Sequence, residues 1–358
     1  MGKIKLPLSE PRPDVEKFCG VIRRDIVPET PPLVELIIDD KIIRELSVKL
    51  LGAEWVEPVD SRTEEKYRDN IINFWHRFGY DYIRVSGGLD FPNKSRVSAS
   101  GRSWTEEGSG IITNREEFES YPWPRLEDAR TRHYEYVSER LPEGMGLFVC
   151  PQSGFLEIPL STLMGYEALS YAVYDSPGLV KDVVDRVGGI IYGFYEKLLG
   201  LDNLYGFFQG DDMGFKTGTL VAPDFLREYI FPWHKKLARL AHDNGLLYLL
   251  HSCGNLEAVM DDLIDDVGID AKHSFEDSII PAGDFKKRYG SRIAVLGGVD
   301  VNILASGSVD GVRAYTRDVL EKCMPGGGYA LGSGNSIADY IPAENYAAMI
   351  EEGLNWGR

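Results

Sequence analysis

Short apolar runs alternate with longer stretches of helical periodicity from one end of the chain to the other. Runs too short for a helix and bounded by Gly, Asn, Asp or Pro read as buried strands. Eight satisfy this: 33–38, 80–86, 146–150, 204–209, 246–251, 269–274, 293–297 and 328–332. Between them lie amphipathic helical patterns, the longest over 63–78, 177–200 and 223–244. Strand and helix repeated eight times predict an α/β protein, a single (β/α)8 TIM barrel occupying 1–358. An open doubly wound sheet would carry a glycine-rich phosphate loop after its first strand, and Leu36-Ile37-Ile38-Asp39-Asp40 is not one.

Two segments fall outside the repeat. Residues 1–30 form an N-terminal extension, and 89–132 form a long insertion after the second strand. The insertion carries Phe91-Pro92, Trp104, Glu106-Glu107-Gly108 and Tyr121-Pro122-Trp123-Pro124. A loop of that length is usually a lid or a binding element, and this one could cover an apolar substrate. The alternative is packing against the rim or the interface of a homodimer.

Composition narrows the function. A net charge of −17 over 358 residues opposes a phosphate backbone, so nucleic acid is not an expected partner. No apolar stretch reaches the roughly 18 residues of a membrane span, and the N-terminus lacks the apolar core of a secretory signal. The expected location is cytoplasmic, where the scattered Cys19, Cys150, Cys253 and Cys323 would be reduced thiols or metal ligands.

In a barrel the residues just past each strand converge on one mouth, the site of chemistry. His251 and Cys253, at i and i+2 from a strand end, point the same way and could form half of a zinc site. They could equally be a hydrogen-bonded core histidine and a buried thiol. The first strand contains Glu35, the third leads to Gln152, and the fourth runs Gln209-Gly-Asp211-Asp212. The sixth gives His273 and Glu276, the eighth Ser333 and Asn335. Adjacent carboxylates at 211 and 212 repel unless a metal, an amine or hydrogen-bond donors offset them. Asp39-Asp40 and Asp300 suit helix starts; His234, His242 and Cys323 fit structural positions.

Across about 320 residues the chain resembles the uroporphyrinogen decarboxylase-like superfamily. The resemblance rests on Pro32-Leu-Val-Glu-Leu36, Gly210-Asp-Asp-Met-Gly214, Leu250-His-Ser-Cys-Gly-Asn255, Leu296-Gly-Gly-Val-Asp300, Gly327-Gly-Tyr-Ala-Leu331 and Pro342-Ala-Glu-Asn345. It implies a (β/α)8 barrel. The decarboxylases grip substrate carboxylates with N-terminal arginines and place an Asp after the second strand. Here Glu35-Leu-Ile-Ile38 and Val85-Ser-Gly-Gly88 occupy those places. A strongly acidic chain also suits an eight-carboxylate tetrapyrrole poorly.

The zinc-dependent corrinoid methyltransferases of the superfamily match better. They join the His-x-Cys element to a Cys after the eighth strand, where this chain has Ser333, a weaker zinc ligand than a thiolate. In the distantly related cobalamin-independent methionine synthases a Glu some twenty residues further on is a ligand, which points to Glu276. The resemblance thus implies zinc on His251, Cys253 and Glu276, with His273 an alternative donor and substrate, water or Ser333 completing the shell.

The expected activity is transfer of a methyl group between a methyl ether, alcohol or thiol and a methylcobamide carried by a separate corrinoid protein, since the chain has no D-x-H-x-x-G cobalamin element. Asp211, Asp212 or His273 would move the proton; Glu35, Gln152, Gln209, Ser333 and Asn335 would bind substrate. Metal-free decarboxylation of a small or tetrapyrrole acid, as in the uroporphyrinogen decarboxylases, and a non-catalytic barrel subunit are the alternatives.

Overall fold

A computed structural model describes residues 8, 10–93, 95–97, 103–105 and 110–357. Seven parallel strands form one curled sheet in the order Tyr82–Ser86, Gly146–Cys150, Leu204–Gly210, Leu247–His251, Ala271–His273, Ala294–Leu296 and Tyr329–Ala330. Each corresponds to a predicted strand, and spatial order follows chain order. The architecture is TIM-barrel-like.

The predicted first strand is the exception. Residues 33–38 meet the sheet only through isolated parallel bridges, Leu33 with Leu331 and Ile38 with Ile337. On its other side, towards Tyr82–Ser86, side chains take the place of a backbone ladder. The Tyr82 hydroxyl donates to the Glu35 carbonyl at 2.8 Å and accepts from the Glu35 N–H at 3.1 Å. Arg84 Nη1 reaches the Leu36 carbonyl at 3.4 Å.

The helices lie where their periodicity placed them. Ser61–Arg77 begins with a capping box between Asp60 and Thr63, which satisfies amide hydrogens the first turn leaves unpaired. The predicted helix 223–244 is continuous but widens over Leu226–Ile230 before resuming as Phe231–Asp243. Pro232 has no N–H to give to the carbonyl of residue 228, and the turn before it relaxes. In the N-terminal extension, helix Val15–Ile22 stoppers the end of the barrel away from the mouth. The Val15 N–H donates to the Gly144 carbonyl at 2.9 Å, and Phe18 packs on Tyr82 and Phe148.

Part of the insertion, including the side chain of Trp104 and residues 106–109, lies outside what the structure describes. What is described packs on itself and on helix Pro177–Leu198. Trp123 meets Phe118 and Tyr121 edge-on, Tyr121 donates to the Pro92 carbonyl, and Arg115 pairs with Asp182. No helix among the described residues is long and apolar enough to cross a membrane.

Candidate metal centre

Two strand ends are stitched together to build the site. Beyond Leu204–Gly210 and Leu247–His251 the backbones continue side by side: the Asp211 N–H donates to the His251 carbonyl (2.9 Å) and the Gly214 N–H to the Cys253 carbonyl (3.1 Å). The Ser252 hydroxyl takes the Met213 N–H at 3.1 Å. The fit needs glycine at 254, where φ is +82° and a Cβ would come 2.2 Å from the Gly214 carbonyl carbon.

This brings Asp212, His251 and Cys253 together, one ligand atom from each within 4.8 Å of the others. His251 Nε2 lies 3.4 Å from Cys253 Sγ and 3.5 Å from Asp212 Oδ1. Asp212 also accepts the Cys253 N–H at 2.8 Å, and Asn335 donates to the Cys253 sulfur at 3.2 Å.

The hydrogen-bond chain behind His251 sets its tautomer. His273 Nε2 faces the Ser333 carbonyl at 3.2 Å, an acceptor only, so this nitrogen carries the hydrogen. Burial, with Lys272 adding to it, holds His273 neutral, down to about 3. Its Nδ1 is therefore an acceptor and takes the hydrogen of His251 Nδ1 at 2.8 Å. Burial, then His273, also drives the His251 pKa well below its usual value. His251 consequently presents a bare Nε2 lone pair to Cys253 and Asp212. The corner then holds two acceptors, the imidazole nitrogen and the carboxylate, and a single thiol hydrogen. Burial, followed by the Asp212 charge, pushes that thiol up to about 12. A divalent cation held by Asp212, His251 and Cys253 would take the place of the thiol hydrogen and offset the carboxylate and thiolate charges. A His, Cys and carboxylate set with an outer partner on the far imidazole nitrogen fits zinc.

The other expected site residues separate by strand parity. Asp211 points away from the barrel interior, its carboxylate accepting the Leu156 and Glu157 N–H groups at 3.0–3.1 Å and lying 2.9 Å from His234 Nε2. Gln209 faces the same way, bonded to the Tyr195 hydroxyl at 2.5 Å and through its amide nitrogen to the Gln152 carbonyl at 3.3 Å. Both are fully buried between sheet and helices. Gln152 sits half-buried on the loop after Gly146–Cys150.

Ser333 turns its hydroxyl from the cluster to Glu35 (2.6 Å) and gives Glu35 its N–H as well (2.8 Å). Burial raises Glu35 to about 8, against these two bonds. Glu276 is exposed, on a turn closed by the Ile279 and Ile280 N–H groups bonding to its carbonyl, and is not part of the cluster. Asp212 takes the third corner instead. His242 pairs with Asp270 on the surface and Asp300 caps the helix at Val301.

Two further groups had no local sequence signal. Glu157 comes in on the loop that Asp211 fastens, its carboxyl raised to about 8 by burial and then by Asp211 and Asp212. Lys272 lies fully buried behind Cys253, bonded to the Ser274 carbonyl at 2.5 Å and packed on Phe275, and burial lowers it to about 8. A cavity of about 750 Å³ opens between helices Ser61–Arg77 and Arg132–Arg140, away from the cluster.

A parallel barrel with its polar groups gathered at one end of the strands is the layout of barrel enzymes. The family model for uroporphyrinogen decarboxylase (URO-D) matches residues 151–355, and the chain belongs to that family. Over 76 residues it is 34% identical to the uroporphyrinogen decarboxylase of Thioalkalivibrio sulfidiphilus, a match spanning 21% of each protein's length. Among solved structures it is similar to a methyltransferase from Methanosarcina mazei, with a TM-score of 0.70 at 17% identity over 96% of this chain and 98% of that one. A Listeria monocytogenes protein described as a vitamin-B12-independent methionine synthase has a TM-score of 0.52 at 12% identity, over 92% and 98%. At these identities the likeness is one of fold.

Proposed function

We propose that the chain is a metal-assisted methyltransferase that moves a methyl group between a small oxygen- or sulfur-bearing substrate and a separate corrinoid protein. The observation that carries this reading is the Asp212–His251–Cys253 corner with the lone pair of His251 aimed into it. Zinc held by these three residues supplies Lewis acidity to the oxygen or sulfur that gives up or receives the methyl group. The protein's own part is to keep that corner ready. His273 fixes the His251 tautomer, Asn335 supports the Cys253 sulfur, and Asp211 anchors the neighbouring loop through Leu156 and Glu157. Glu157, next to Asp212 and with its carboxyl raised by burial, is the group we assign to hold the proton that the substrate heteroatom gains or loses. Fold similarity to a methyltransferase over nearly the whole chain supports the reaction class.

The test uses zinc-loaded protein with free cob(I)alamin and simple methyl ethers and thioethers, or with methylcobalamin and thiols, followed by the absorbance of the methyl–cobalt bond. Transfer lost in Cys253→Ala is expected. A zinc-loaded protein inert in both directions would remove the proposal. Family membership keeps decarboxylation as the second reading, tested by CO₂ release from pyrrole acids without added metal.

A further inference from the structure

The barrel interior holds a guanidinium that the reading above does not use. Arg84 is in the middle of strand Tyr82–Ser86, on the face that alternation turns inward. Its Nε donates to the Phe208 carbonyl at 3.1 Å, and its Nη1 reaches the Leu36 carbonyl at 3.4 Å. It therefore spans from the loosely paired segment 33–38 to the strand Leu204–Gly210. These bonds use the Nε edge and one Nη1 hydrogen. Nη2 has no protein acceptor among the described residues, and no described carboxylate pairs with Arg84. It is not sealed in the core either, for the residue is only half-buried. Where acidic residues outnumber basic ones 56 to 39, an inward cation left without a carboxylate needs a reason. Two carbonyl dipoles and an aromatic face offset part of its charge; an anion would complete it.

Its position relative to the metal corner is informative. The guanidinium carbon lies 5.6 Å from the centre of the Phe208 ring. Phe208 meets His273 edge-on at 5.8 Å, and His273 lies 5.0 Å from His251, ring centre to ring centre. Arg84 and the corner are thus on the same inner face, with the Phe208 and His273 rings between them. Beside Arg84 towards the mouth, Ser86 is exposed, and among the described residues a Cβ added at Gly87 would meet nothing within 4 Å.

We propose that Arg84 binds a carboxylate of the substrate, so that the molecule taken by this site is a small carboxylic acid with its reacting oxygen or sulfur at the end away from the carboxylate. The fork of Nη1 and Nη2 matches two carboxylate oxygens in one plane, which a lysine at the same place would not. The proposal relies on the methyltransferase reading only for what happens at the far end.

The test is calorimetric titration of the purified protein with benzoate and with benzamide, a neutral molecule of nearly the same shape. Metal content is measured on the same samples and reports separately on the metal-assisted reading. Wild-type protein is expected to bind benzoate at least about tenfold more tightly than benzamide. Arg84→Met should abolish that preference and leave benzamide binding unchanged, while Arg84→Lys should keep part of it. Melting temperatures separate loss of a brace from loss of a binding group. If Arg84→Met does not fold, the wild-type comparison and Arg84→Lys carry the test. Equal binding of acid and amide, absence of saturable benzoate binding to wild type, or an undiminished preference in Arg84→Met or Arg84→Lys would overturn the proposal.

Discussion

Asp211 and Asp212 are neighbours in the chain with opposite parity, and the consequence of losing each is calculable. Asp211 is fully buried, accepts two backbone N–H groups and lies against His234. Each buried hydrogen bond to a charged group contributes about 1.5–3 kcal/mol, and stranding the donors adds their desolvation cost. Asp211→Asn keeps one acceptor oxygen and must turn its NH₂ either towards the backbone N–H groups or towards His234, which accepts it only by changing tautomer and reversing its bond to Tyr248, so a net loss of about 4 kcal/mol is expected. At an unfolding entropy of about 2.1 cal/mol/K per residue, that lowers the melting temperature by about 5 °C. Asp212 is different. Its side chain is 37% exposed and it accepts one backbone N–H, that of Cys253. Asp212→Asn should cost about 1 kcal/mol or less, near 1 °C, yet remove a ligand. Thermal unfolding and metal content measured on both variants give the comparison. The reasoning is refuted if Asp212→Asn melts lower than Asp211→Asn, or if Asp211→Asn alone loses the metal.

Glu35 and Cys253 give two further predictions. Burial lifts Glu35 from 4.5 to about 8. An acid whose folded value is raised contributes stability that is full below its unfolded value and lost as the pH rises through the folded one. Wild-type protein should therefore lose a few kcal/mol between about pH 5 and 9, and Glu35→Gln should flatten that slope in pH-dependent denaturant titrations; an unchanged slope contradicts the assignment. In metal-free protein, Cys253 should alkylate slowly with iodoacetamide at pH 8, because burial and then Asp212 raise its thiol. Asp212→Asn removes one of those causes and should speed the reaction several-fold; mass mapping of Cys253 reads it, since the other three cysteines are buried, and an unchanged or slower rate is the contrary result.

The fold was legible because buried parallel strands leave unmistakable apolar runs, and seven of eight appear where such runs lie. Segment 33–38 has the same composition, but its pairing depends on Tyr82 and Arg84, which the run itself does not display. His251 and Cys253 were legible from their i, i+2 spacing at a strand end. Alternation also held the division between Asp211 and Asp212, since Gln209 and Asp211 share one face and Gly210 and Asp212 the other. Reading the two carboxylates as a pair missed it. Glu276 was reached through a spacing seen in relatives, whereas here the chain turns outward after Phe275. Ser333 meets Glu35 across 298 residues of sequence, and Glu157 arrives on a loop fastened from another strand. Those meetings exist only in three dimensions.

The central claim is that Asp212, His251 and Cys253 hold one metal ion. X-ray absorption at the zinc edge, on protein purified without chelator and brought to one equivalent of zinc, tests it most directly. The account predicts a first shell of nitrogen and oxygen neighbours at about 2.0–2.1 Å with a single sulfur at about 2.3 Å, the sulfur vanishing in Cys253→Ser. A shell without sulfur in the wild-type protein, or failure to retain zinc through gel filtration, would contradict it.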